Sequence, residues 1–94
     1  MSRLSENQFM QMVIDYAKLH QWFIYHTHDS RRSVAGFPDL VLVRPPKIIV
    51  AELKVGQNQP TPEQNLWLNL FEECGVPAYV WRETEWLEIE EVLQ

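Results

Sequence analysis

The chain has 94 residues, 46% of them hydrophobic, and a formal net charge of −5. That length allows one domain, residues 1–94, whose core has little stability to spare, so association into a homodimer is expected to help it. A single cysteine, Cys74, excludes a disulfide framework and a Cys-rich zinc site, and no apolar run approaches the roughly 20 residues of a membrane span.

Ser5-Glu6-Asn7-Gln8 reads as a capping box, with Ser5 as N-cap and Gln8 at N3, and opens a helix expected to reach about Leu19. Phe9, Val13, Tyr16, Ala17 and His20 follow helical spacing, and Met10 and Ile14 widen the stripe. Glu6 precedes Phe9, Met10 and Val13 by helical intervals, which turns it toward the covered side of the first turn.

Trp22 to Thr27 is aromatic and β-branched and reads as a strand. A polar loop, Asp29 to Gly36, leads to a second strand, Asp39 to Val43. Arg44-Pro45-Pro46-Lys47 is a turn, because the prolines cannot continue a ladder. Ile48 to Val55 is a third strand, apolar on both faces in its first half as a central strand should be.

After the loop Gly56 to Pro60, Thr61-Pro62-Glu63-Gln64 is a second capping box, with Pro at N1. Leu66, Trp67, Leu70, Phe71 and Cys74 form its expected apolar stripe, with the Cys74 thiol buried. Gly75 and Pro77 end that helix. Val76 to Trp81 is a fourth strand, and Thr84 is the expected cap of a last acidic helix. The order α-β-β-β-α-β plus a C-terminal helix gives an α/β fold with a mixed four-stranded sheet flanked by helices. A right-handed crossover sets the fourth strand parallel to the third.

The chemistry concentrates in Gly36-Phe37-Pro38-Asp39-Leu40 and Glu52-Leu53-Lys54. Charges beside apolar strands are costly unless they are paired or hold a metal. Alternation puts Glu52 and Lys54 on one face, about 6–7 Å apart. Pairing Val43 with Ile48 across the proline turn sets Asp39 opposite Glu52, where side chains are about 5 Å apart. Two carboxylates at that spacing suit a shared divalent cation that activates water against a phosphodiester. Lys54 then positions that water or stabilises the developing charge. Glu6 and the backbone carbonyl of Leu53 are further candidate ligands, Glu6 also as a partner of metal-bound water.

G-F-P-D-L followed by E-L-K resembles the PD-(D/E)XK nuclease superfamily, whose restriction endonuclease-like core has this element order. Adding Glu6 upstream and Thr61-Pro62-Glu63-Gln64 downstream makes the pattern similar to the VRR-NUC branch over nearly the whole chain. The resemblance implies a Mg²⁺- or Mn²⁺-dependent endonuclease leaving 5′-phosphate and 3′-hydroxyl ends on DNA. It makes Asp39 and Glu52 metal ligands and Lys54 catalytic, with Glu6 and Gln64 as accessory positions; a purely structural helix cap explains Gln64 equally well. Small stand-alone members of that branch, many phage-encoded, look like homodimers that resolve four-way junctions. A similar protein would act in the cytoplasm, the host's if phage-encoded.

The net charge argues against DNA, but unevenly. Residues 83–94 hold five acids and no base, whereas residues 1–82 balance eight acids with eight bases. His26, His28, Arg31 and Arg32 form a local basic segment, read either as phosphate contacts or as a solvated loop. His26 and His28 have no cysteine and no further spaced histidine with which to complete a zinc site. The enzymatic alternative is a less selective nickase or flap nuclease using the same residues. The non-enzymatic one is a DNA- or protein-binding module on this fold.

Overall fold

The computed structural model describes residues 4–27 and 34–94. Helix α1 (Glu6–Leu19) is followed by β1 (Phe23–His26), β2 (Leu40–Arg44), β3 (Lys47–Lys54), α2 (Pro62–Glu73) and β4 (Ala78–Arg82). A 3-10 turn (Glu83–Glu85) then leads into α3 (Trp86–Leu93). The sheet order is β1-β2-β3-β4, with antiparallel pairing up to β3 and parallel pairing of β3 with β4. This is the expected α/β architecture. None of the helices in the described residues is long and apolar enough to cross a membrane.

Both expected capping boxes form. Ser5 Oγ accepts from the Gln8 N–H, and Thr61 Oγ1 accepts from the Gln64 N–H, each answered by the N3 side chain. The expected cap at Thr84 does not form. Thr84 lies inside the 3-10 turn, where the Glu85 carboxylate accepts from the Arg82 N–H, and α3 starts without a side-chain cap.

Alternation along β3 sorts its residues between two layers. Ile49, Ala51 and Leu53 enter the main core with Leu40 and Leu42 of β2, Phe9, Val13 and Ala17 of α1, and Ile89 and Leu93 of α3. The end of α3 is fastened to this layer. Trp22 Nε1 and Arg44 Nη1 both donate to the Leu93 carbonyl, and the Arg44 guanidinium stacks 4.4 Å above the Trp22 ring. Helix α2 covers the opposite face, the one carrying Val50 and Glu52.

Two expectations for α2 fail. Leu66 and Leu70 are exposed, whereas Leu68, outside the expected stripe, is buried. Cys74 is exposed at the C-cap instead of buried. Only one narrow side of α2 meets the sheet, and Trp67 and Phe71 spend their rings on Phe37, at centroid separations of 5.2 and 5.8 Å.

Candidate active site

The hairpin register builds the site. Arg44 pairs with Lys47 across Pro45-Pro46, Val43 with Ile48, and Leu40 with Ala51. The next step of the ladder sets Asp39 against Glu52, as the spacing predicts. Asp39 itself lies one residue before β2. Its carbonyl accepts from the Thr27 N–H at 3.0 Å, and its Oδ2 accepts from the Leu53 N–H at 2.9 Å. The side chain therefore reaches over β3 and bonds to the backbone between Glu52 and Lys54. Pro38 behind it is fully buried, which fixes how the chain enters β2.

Glu52 is 2% exposed, an unusual place for a carboxylate. One oxygen, Oε2, accepts from Gln64 Nε2 at 2.9 Å and lies 3.6 Å from Lys54 Nζ. The other, Oε1, is buried and has no hydrogen-bond partner among the described residues. Burial, together with the charge of Asp39, pushes the Glu52 carboxyl up to about 8, against a smaller opposing pull from Lys54. Glu6 at the start of α1 is shifted the same way, first by burial and then by Asp39. Glu6 is partly buried at the first turn of α1, and its carboxyl feels the charges of both Asp39 and Lys54.

A divalent cation fits this donor set. It would satisfy the orphaned Glu52 oxygen, neutralise two facing carboxylates and find hard oxygen donors throughout. Among the described residues, no three His, Cys, Asp or Glu side chains gather closely enough to cage an ion. A bound Mg²⁺ or Mn²⁺ would therefore be held by Asp39, Glu52 and the Leu53 carbonyl and completed by water, the style of coordination Mg²⁺ favours. Gln64 is both helix cap and site residue at once: its oxygen serves the cap and its amide nitrogen serves Glu52.

Of the expected DNA contacts, His26 ends β1, half-buried, on the same side of the strand as Ile24. His28, Arg31 and Arg32 lie outside the described residues. Sequence reading passed over Arg82. It pairs with Lys54 in the β3–β4 register and donates to the Gly56 carbonyl and to Gln59 Oε1, at 3.0 and 3.3 Å. Glu83 accepts from the Gly56 N–H at 3.1 Å. Together they pin the loop that follows Lys54. The clue in the sequence was a lone arginine at the end of the strand parallel to the motif strand.

The site lies at the strand ends, where the Glu52 and Lys54 side chains are 2% and 13% exposed. A cleft of about 540 Å³ lined by Pro46, Lys47, Ile48, Gly75 and Glu91 among others lies at the other end of β3 and shares none of these residues.

A family model described as the VRR-NUC domain matches residues 2–84. No curated protein matches the sequence. Among solved structures, a chain described as "VRR_NUC domain protein" is similar with a TM-score of 0.75 and 23% identity, covering 99% of this chain and 88% of that one. At that identity the likeness establishes the fold.

Proposed function

Because the chain belongs to the VRR-NUC domain family, a nuclease-like family, we propose that it is a Mg²⁺- or Mn²⁺-dependent endonuclease that hydrolyses phosphodiester bonds in DNA. The observation that carries this reading is the buried Glu52, with one oxygen unpartnered, facing Asp39 and flanked by Lys54.

Asp39, Glu52 and the Leu53 carbonyl hold the cation. When bound, it supplies positive charge to the phosphoryl oxygen and lowers the pKa of water. Among the described residues, Lys54 is the cation that lies against the pair, 3.6 Å from Glu52 Oε2. Its ammonium orients the attacking water and offsets charge as the fifth bond to phosphorus forms. The P–O3′ bond breaks, leaving a 3′-hydroxyl and a 5′-phosphate. Gln64 keeps the Glu52 carboxylate turned toward the ion, and Glu6 hydrogen-bonds the surrounding water.

The finer reading is a homodimeric enzyme of branched DNA, resembling a four-way junction resolvase. One surface supports the dimer. Phe23, Val43 and Ile48 form a row across three strands, and Phe23, Tyr25 and Ile48 are 75%, 61% and 42% exposed. The row itself is uncharged, so pairing two copies there would bring no like charges of this row face to face.

Labelled four-way junction, flap, single-stranded and linear duplex DNA, each with Mg²⁺, Mn²⁺ or EDTA, test the activity. Paired symmetric nicks on the junction alone support the resolvase. Cutting of every substrate indicates a general nickase, and flap cutting alone a flap nuclease. Absence of cutting with either metal would refute the enzyme and leave a binding module. Light scattering of a Phe23→Ser/Tyr25→Ser double variant tests the dimer: a wild-type monomer, or a variant that remains dimeric, would refute this surface.

A further inference from the structure

Resting on the metal-site reading above, we infer that Gly36 and Thr61 are positioning residues for Glu52, acting through Gln64.

The first half of the argument concerns which end of an amide faces Glu52. Gln64 has one acceptor oxygen and one NH₂ group. The Thr61 N–H donates to Gln64 Oε1 at 2.9 Å, and Thr61 Oγ1 accepts from the Gln64 N–H at 3.2 Å. The Thr61 backbone N–H thus claims the amide oxygen, Thr61 Oγ1 holds the Gln64 backbone in place against it, and only the NH₂ is left to reach Glu52 Oε2, at 2.9 Å. The reversed amide would set oxygen against a carboxylate oxygen and forfeit both bonds. With Oε2 held by Gln64 and Lys54, Oε1 is the oxygen left for a ligand. A cap normally serves its own helix; here its geometry selects the ligand atom of a residue on β3.

The second half concerns where that helix sits. Gly36 has φ +86°, a conformation that favours glycine. A Cβ added there would lie 2.4 Å from the Glu63 carbonyl carbon, 2.5 Å from its oxygen and 2.7 Å from its Cβ. The obstacle is the backbone of the first turn of α2, one residue before Gln64, and a backbone cannot swing aside as a long side chain can. Phe37 extends the same contact along the helix through Trp67 and Phe71. The loop that ends in Asp39 and the helix turn that presents Gln64 therefore meet backbone to backbone. Gly36 sets the gap between a ligand and the group that aims its partner ligand.

The test is Mn²⁺ affinity, measured by calorimetry on the DNA-free full chain, for wild type, Gly36→Ala, Thr61→Ala and Thr61→Ser, with circular dichroism recorded on each. Gly36→Ala should weaken Mn²⁺ binding about tenfold, the effect of one well-placed partner of a ligand, and so should Thr61→Ala, which keeps the backbone N–H but removes the Oγ1 bond that holds Gln64 in place against it. Thr61→Ser, which keeps both cap bonds, should bind like wild type. If Gly36→Ala fails to fold, the Thr61 pair decides. Wild-type affinity in folded Gly36→Ala or in Thr61→Ala, whatever their melting temperatures, overturns the role of that residue, because a purely structural role changes stability and not affinity. Wild-type protein that binds no Mn²⁺ would instead overturn the metal-site reading itself, and this inference with it.

Discussion

Glu52→Gln should make the metal-free protein more stable at alkaline pH while abolishing cleavage. In the folded chain the Glu52 carboxyl titrates at about 8, against an ordinary value of 4.5, chiefly because burial penalises its charged form. At about 1.36 kcal/mol per unit, that difference costs the folded state at most about 5 kcal/mol once the group is ionised. With 2% exposure, little solvent screening reduces that cost. The sign follows from proton counts. Between the two values the folded state holds a proton that the unfolded state has released, so stability falls as pH rises. The favourable contribution is complete below about 4.5 and is lost as pH climbs through about 8. Glu6 is shifted in the same direction and adds to the trend.

In EDTA, the wild type should lose about 4 kcal/mol between about pH 5 and about pH 8.5, a drop of 10 °C or more in Tm for a domain of this size. Glu52→Gln removes the ionisation and should flatten most of that slope. Mg²⁺ should rescue the wild type by mass action, more strongly at the alkaline end where the carboxylate pair is ionised, and should leave Glu52→Gln nearly unmoved. Urea or thermal melts across that range, with EDTA and with Mg²⁺, measure all three effects. A wild-type Tm that rises toward alkaline pH in EDTA, or a Glu52→Gln variant no more stable than wild type there, would refute the reasoning.

Asp39→Ala should abolish cleavage and cost about 1–3 kcal/mol in denaturant melts, since it strips the Leu53 N–H of its acceptor; Asp39→Asn should be equally inactive yet closer to wild-type stability. Lys54→Met should lower the single-turnover cleavage rate by about 10²–10³ while leaving Mn²⁺ binding in place, and an unchanged rate would remove Lys54 from the chemistry. Arg82→Met should release the Gly56–Gln59 loop, read as faster proteolysis there and a raised KM, with Mn²⁺ affinity unchanged.

The site was legible where local rules fix geometry. Two prolines limit the hairpin turn to Pro45-Pro46, so counting back from Val43 and forward from Ile48 sets Asp39 against Glu52 without knowledge of the rest of the fold. Alternation does the same for Glu52 and Lys54. What escaped depends on which side of an element is covered. Helical spacing finds an apolar stripe on α2 but not how much of it the sheet reaches, so Leu66, Leu70 and Cys74 were assigned to a core that ends at Leu68. Thr84 had the right chemistry for a cap, yet Glu85 caps the turn from inside it. The approach of Gly36 to Glu63 and the hold of Arg82 on Gly56 join residues 27 and 26 positions apart, beyond any local pattern.

The same distinction resolves the charge problem. A net charge of −5 argues against a protein that handles DNA, but five of the acids fall in residues 83–94. Two of these serve structure: Glu83 holds the Gly56 N–H and Glu85 the Arg82 N–H. Glu88, Glu90 and Glu91 belong to α3, whose buried side packs in the layer with α1, against the sheet face opposite Glu52. These three acids are therefore carried on the far side of the sheet from Glu52, and salt weakens what their charge contributes through solvent. Among the described residues the nearer charges are Asp39 and Glu52, which a divalent cation would neutralise, and Lys54, with Arg82 paired to it across the ladder. The acidic total governs solubility and nonspecific association, whereas the proposed chemistry depends on the few charges at the end of β3.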